Sequence, residues 1–308
     1  MRFRLFMTGV SILALVSMPS PLAHGQGVCF DPAADYASGN GSYSIHTADL
    51  DGDHDADLVV ANMDGNSISV LMNNKNGAFG PASNYASVAQ PLSAVAADLD
   101  GDGDQDLAVA KYGSNNVGIL MNNGDGTFGA TVNYTAGGGP YSIIALDLDG
   151  DNDIDLAVVC LNGPYVAGLK NYGNGVFAAA TNYAVGSGAV SIVAADLDGD
   201  IDPDLAVANA YSDNVSVLKN NGNGTFGIAV NYPAGDSPFS IDAADLDGDG
   251  DADLATANAV GASVSVLRNN ANGVFAAPVN HPAGNDPRSV VAADFDGDGD
   301  ADLAVGNY

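Results

Sequence analysis

The 308-residue chain contains no glutamate and no tryptophan, only eight lysines and arginines together, and two cysteines. Each shortage excludes something. Scarcity of Glu, Lys and Arg beside abundant Gly, Asn, Val and Ala argues against long helices and for strands joined by tight turns. With so few cations against 38 acidic residues, all of them Asp, the formal charge is −30. No basic surface is available for a phosphate backbone, which excludes nucleic acid as a partner. Two cysteines cannot make a disulfide framework. A Cys29–Cys160 bridge is disfavoured further because the two occupy non-equivalent places in the sequence pattern described below.

Long apolar runs are also missing. The longest, Leu5 to Val16, follows Met-Arg-Phe-Arg and precedes Pro19, Pro21 and small residues around Ala23 and Gly25. That layout predicts a secretory signal peptide over 1–25, leaving 26–308 as one exported domain with no membrane span. Loss of Arg2 and Arg4 would lower the formal charge to −32.

What is present is a repeat. Asp49, Asp98, Asp147, Asp196, Asp245 and Asp294 each open a ten-residue block of the type DLDGDGDADL, and every interval is 49 residues. Asn73, Asn122, Asn171, Asn220 and Asn269 keep the same period and begin N-x-x-x-G-x-F segments ending at Phe79, Phe128, Phe177, Phe226 and Phe275. One unit predicts four strands, Ser93 to Leu99, Leu107 to Ala110, Val117 to Met121 and Phe128 to Tyr134. The expected fold is therefore an all-β propeller of four-stranded blades, with six repeats and the last incomplete; a parallel β-helix is the alternative. Phe30 to Tyr36 aligns with Phe79 to Tyr85, so the chain enters at a fourth strand and stops after the second strand of its sixth unit. This predicts a piece of a larger propeller, such as a truncated seven-bladed one, in preference to an irregular sixth blade.

Within each block the carboxylates fall at positions 1, 3, 5, 7 and 9. They are Asp49, Asp51, Asp53, Asp55 and Asp57; Asp98, Asp100, Asp102, Asp104 and Asp106; and Asp147, Asp149, Asp151, Asp153 and Asp155. The later blocks hold Asp196, Asp198, Asp200, Asp202 and Asp204; Asp245, Asp247, Asp249, Asp251 and Asp253; and Asp294, Asp296, Asp298, Asp300 and Asp302. Five carboxylates in nine residues repel one another unless a cation joins them. Alternating oxygens on a curled loop suit Ca²⁺, which takes six to eight, so up to six ions are expected. An EF-hand is excluded, since it needs a Glu and flanking helices. Position 4 is Gly throughout, and position 6 is Gly, Asn or His except for Ile201. If position 6 needs a positive φ, Ile201 is strained.

These blocks, with the LAVAN run at 205–209 and the NNGNGTFG run at 220–227, resemble the FG-GAP or VCBS repeat family of integrin-α-like calcium propellers. The resemblance covers about Phe30 to Tyr308. It implies Ca²⁺ held by side chains at positions 1, 3, 5 and 9, such as Asp98, Asp100, Asp102 and Asp106, with the carbonyl of position 7, such as Asp104. It also implies a face opposite the loops bearing Tyr43, Tyr141, Phe239 and Arg288, with Asp64, Tyr112 and Tyr211.

Other signals are weaker. The G-x-G-x-x-G matches at 124–129 and 222–227 lack a following helix and read as turns. His46, His54 and His281 are scattered, and no catalytic constellation is visible. Asn40, Asn133, Asn214 and Asn223 lie in N-x-S/T sequons. The expectation is a secreted or periplasmic, non-catalytic binding or adhesion module for an extracellular protein or glycan, with calcium mainly structural. An enzyme propeller, such as a polysaccharide lyase or hydrolase, and a structural array within a larger surface protein are the alternatives.

Overall fold

A computed structural model describes residues 34–75, 77–86 and 89–308. The expected signal peptide over 1–25, Cys29 and residues 30–33 lie outside the described residues. Five four-stranded sheets span 42–86, 91–135, 140–184, 189–233 and 238–282, and a two-stranded sheet spans 287–307. Strand order follows the chain in every sheet and every pairing is antiparallel, so the units are meanders. This is the blade architecture of a propeller, with innermost strands such as Pro91–Ala97 packed against their neighbours in adjacent blades. No comparable packing joins the innermost strands of blades six and one.

The apolar residues pack between blades, because each sheet has a buried layer on both faces. Val59, Ala61, Ile68 and Val70 of blade one meet Leu107, Val109, Leu120 and Phe128 of blade two. Second strands such as Asp106–Lys111 are buried along their whole length, which explains their continuous apolar reading. The outermost strand of this blade is shorter than expected, Val132–Thr135. Phe128 instead pairs through a single bridge with Asn122, and its ring takes the edge of Tyr85 from the previous blade at 5.4 Å.

The same Tyr–Phe contact recurs between every later pair of full blades, at 5.1–5.3 Å. Tyr36 makes it on Phe79 at 5.3 Å, so the segment before blade one sits where the fourth strand of a preceding blade would lie. The expected alignment of Tyr36 with Tyr85 holds.

Blades tolerate substitution when partners change together. In blades one, four and five a buried Asn bonds a Ser of the next strand, as Asn209 Nδ2 does to Ser216 Oγ at 2.8 Å. Blade two has Lys111 and Gly118 at those places. A Cβ at Gly118 would stand 2.4 Å from Lys111 Cε, so the long side chain fits only because serine is absent. Its buried Nζ donates to Asn133 Oδ1 at 2.8 Å. Blade three has Cys160 there, a buried thiol that burial pushes up to about 12.

Candidate metal centres

Each Asp loop joins an innermost strand to the next strand. Its shape comes from side chains bonding the loop's own backbone. In blade two, Asp98 accepts from the N–H groups of Gly101 and Gly103 at 2.8 and 3.0 Å. Asp100 accepts from Asp102 N at 3.3 Å and Asp102 from Asp104 N at 2.9 Å. Asp106 accepts from Leu99 N at 3.0 Å and Asn122 N at 2.7 Å. The bonds from position 6 to position 1 recur in all six loops. This curl draws one oxygen each from several carboxylates to within 4.8 Å of one another. The groups include Asp49, Asp51 and Asp53; Asp98, Asp100 and Asp106; Asp147, Asp149 and Asp155; Asp196, Asp198 and Asp204; and Asp245, Asp247 and Asp253.

The carboxylates divide by position. Those at position 9 are buried in the five full blades, whereas Asp302 of blade six is exposed. Position 7 points elsewhere: Asp104, Asp153 and Asp202 lie so close to Gly124, Gly173 and Gly222 that a Cβ at any of these glycines would strike them. Its carboxylate therefore lies against the turn that follows the third strand.

The residues fit a cation. Asp49, Asp149 and Asp198 each enclose an Oδ1 with no hydrogen-bond partner, and a buried carboxylate oxygen left so is costly. Burial pushes Asp106, Asp155 and Asp204 up to about 6, opposed by their two backbone N–H bonds and reinforced by the carboxylates at positions 3 and 5. An all-oxygen donor set of this kind is that of a hard divalent ion. These clusters could hold metal ions.

Three loops carry a cation of their own. Lys170 pairs with Asp149 and, at 3.2 Å, with Asp151; Lys219 lies 3.1 Å from Asp198 and Arg268 3.2 Å from Asp247. Blades one and two have Met72 and Met121 at this place. The sequence holds this alternation in plain view, at the residue before each repeated Asn, and only the geometry gives it meaning.

Position 6 does require a positive φ. His54, Gly103, Asn152, Ile201, Gly250 and Gly299 have φ of 71°, 96°, 69°, 80°, 93° and 97°. Ile201 keeps the loop's hydrogen bond, with its N–H 3.0 Å from Asp196 Oδ2, so the fourth loop has the same curl at a cost in strain. Ile201→Gly is expected to stabilise the protein by about 1 kcal/mol. Denaturant midpoints measure this, and an unchanged or lower midpoint would refute it.

The repeated Asn does more than mark the period. Asn171 Nδ2 donates to Ile154 O at 2.9 Å and, across the blade interface, to Leu99 O at 2.8 Å. Its Oδ1 accepts from Gly173 N at 3.1 Å. Asn122, Asn220 and Asn269 make the same reach, so each full blade from the second to the fifth is latched to the Asp loop of its predecessor. Asn171→Ala leaves several buried groups unsatisfied and is expected to cost about 3 kcal/mol. Chemical denaturation of the variant gives the number; a loss below about 1 kcal/mol would show that the latch is idle.

Among the described residues the histidines form no cluster with a nucleophile. His54 Nδ1 lies 3.5 Å from Asp49, His46 is on the innermost strand of blade one, and His281 is on the outermost strand of blade five. At the end opposite the loops, Tyr43, Tyr141 and Phe239 form an edge-to-face chain, with centroids 5.9 and 6.2 Å apart. Arg288 lies over the Phe239 ring at 4.4 Å and is held by Asp286 at 2.6 Å. Tyr211 is exposed in a turn of blade four.

A family model described as FG-GAP-like repeat matches residues 49–109, 98–158, 147–207, 196–256 and 253–305. Among curated proteins none matches the chain. Solved structures share the fold. An Agrocybe aegerita lectin, described by its specific recognition of non-reducing terminal N-acetylglucosamine, has a TM-score of 0.55 at 23% identity, covering 87% of this chain and 71% of its own. A catalytically inactive variant of virginiamycin B lyase from Staphylococcus aureus, solved with quinupristin, gives 0.58 at 15% identity over 89% and 81%. The biofilm matrix protein Bap1 of V. cholerae gives 0.51 at 20% identity over 82% and 42%. At these identities the likeness is one of fold.

Proposed function

Because this chain belongs to the FG-GAP-like repeat family, we propose that it is an exported binding module whose Asp loops hold structural Ca²⁺ and whose opposite face does the recognising. The observation that carries this reading is the division of labour between the two ends. One end is committed to curled acidic loops with enclosed, unpartnered carboxylate oxygens. The other presents the Tyr43–Tyr141–Phe239 chain and Arg288. Aromatic surface of this kind suits a protein or a glycan.

In each loop the carboxylates at positions 1, 3, 5 and 9 would take the ion, with the carbonyl at position 7. When bound, Ca²⁺ neutralises mutual repulsion and fixes the loop. The chain itself supplies the curl, through backbone N–H groups donated to positions 1, 3, 5 and 9. Among relatives of the fold, a lectin and a biofilm matrix protein support a binding role, while the lyase keeps an enzymatic reading in view. Glycan and secreted-protein arrays, run beside turnover assays on a polysaccharide panel, test the choice. Binding without turnover is the expected result; turnover would overturn the non-catalytic reading, and silence on both arrays would overturn recognition by this face.

A further inference from the structure

All six innermost strands carry an irregularity at the same place. The register between first and second strands slips between residues 42 and 44, 91 and 93, 140 and 142, 189 and 191, 238 and 240, and 287 and 289. One residue per blade is thereby left out of the ladder, and such a bulge re-aims its side chain. The residues are Tyr43, Leu92, Tyr141, Val190, Phe239 and Arg288, spaced by 49, and all six line one cavity of 480 Å³. The next residue in every blade is serine, and Ser44, Ser93, Ser142, Ser191, Ser240 and Ser289 line the same cavity. Across the six repeats the serine never changes while the bulged residue varies widely. That is the pattern of a fixed polar collar beneath a rim that is free to be specific.

The collar's hydrogen-bonding capacity is largely unspent. Ser191 Oγ accepts from Ile241 N at 3.3 Å and Ser240 Oγ from Val290 N at 3.2 Å, each in the following blade. Accepting one bond leaves a hydroxyl its proton and a further lone pair. The cavity volume falls within the range of small-molecule sites, about 300–1,000 Å³. Its wall has apolar rings on one level and donor–acceptor hydroxyls all round the next.

Charge narrows the ligand. An anion would enter a chain of net charge −30, and the rim's cation, Arg288, is already held by Asp286 at 2.6 Å. A cation seeking an aromatic face finds Phe239 covered by Arg288 at 4.4 Å. A flat aromatic ligand gains little from rings set edge to face at 89° and 84°. What remains is a neutral ring with hydroxyls around its perimeter and C–H faces for the aromatics. We propose that this axial cavity binds a single neutral saccharide unit, with Tyr43 and Tyr141 against its C–H faces and the serine collar on its hydroxyls. The assignment rests on the binding-module reading above and gives that face a ligand class.

Titration of the calcium-loaded full chain with methyl glycosides of neutral hexoses and N-acetylhexosamines tests it, beside Ser93→Leu and Ser142→Leu. Among the described residues neither hydroxyl has a hydrogen-bond partner, so both variants fill the cavity without breaking a side-chain bond. Melting midpoints confirm that they fold, and ¹³C-labelled tyrosine spectra of the unmodified protein give a readout needing no variant. The expected result is binding by the unmodified protein, perturbed Tyr43 and Tyr141 signals, at least a tenfold weaker Kd in both variants, and weaker binding of a uronate. Equal binding by variants and parent would overturn the cavity while leaving glycan recognition standing. A uronate bound more tightly than its neutral counterpart would overturn the charge argument. Absence of any saccharide binding would overturn the assignment, and the broader reading would then stand or fall on the protein arrays.

Discussion

Millimolar Ca²⁺ added to the chelated protein is expected to raise its thermal midpoint by about 15 °C, and excess chelator to reverse the rise. The size follows from linkage. An ion at ten times its Kd stabilises a site by about 1.4 kcal/mol, so six independent loops supply roughly 8 kcal/mol. For a domain of this size each kcal/mol moves the midpoint by about 2 °C or more. Differential scanning calorimetry with Ca²⁺, Mg²⁺ and chelator makes the comparison. Mg²⁺ should do less, because it demands tighter octahedral geometry and keeps its water. Superimposable curves with Ca²⁺ and with chelator would remove calcium from the account of this fold.

The second large effect is a pH response that changes sign with the metal. Asp106, Asp155 and Asp204 are pushed up to about 6 in the chain without metal, mainly by burial. Their unfolded values are near 3.9, so between about pH 4 and 6 the folded chain binds more protons than the unfolded one. Stability contributed by these groups is therefore greatest at the acid end of that window and is lost as pH rises through it. Asp57 and Asp253 are raised by the same cause and add to the effect. In chelator, lowering the pH from 7 to 5 should raise the melting midpoint, by roughly 5–10 °C given ~1.4 kcal/mol per pH unit of displacement. With saturating Ca²⁺ the same change should lower it, since a proton and the ion compete for one carboxylate. A midpoint that falls on acidification in chelator would show that the position-9 carboxyls are not held as described.

The calcium effect was foreshadowed in the amino-acid sequence, and the pH response was not. The 49-residue interval was enough to place the blades, because no insertion disturbs it and each strand is bounded by Gly- or Asn-rich turns. Position 6 of the loops was legible from residue type alone. Gly, Asn and His are the residues that tolerate φ > 0, and Ile201 stood out as the exception it proves to be at 80°. Long-range polar contacts were not legible. Asn122 bonds Leu50 O across 72 residues, and nothing in a period reveals which backbone carbonyl a side chain will meet. The fourth strand was placed too early because Phe128 reads as a strand residue; in space its ring fills the seam between blades. The six bulges were hidden for a related reason. A bulge is a fact about two strands in register, and the sequence shows one strand at a time.

The placement of the apolar core between blades has a consequence for how this molecule gains and loses structure. Val207 and Leu218 of blade four share a cluster with Ala157 and Val159 of blade three, whereas Ala206 and Val217 of the same blade cluster with Ile241 and Leu254 of blade five. Between neighbouring full blades the core belongs to the seam and not to either blade. A lone 49-residue unit therefore has little reason to fold, and order should spread by nearest-neighbour addition, each docked unit offering the seam on which the next is built. Damage should travel the same way: a defect in one seam weakens two adjacent units and leaves the far side of the array intact.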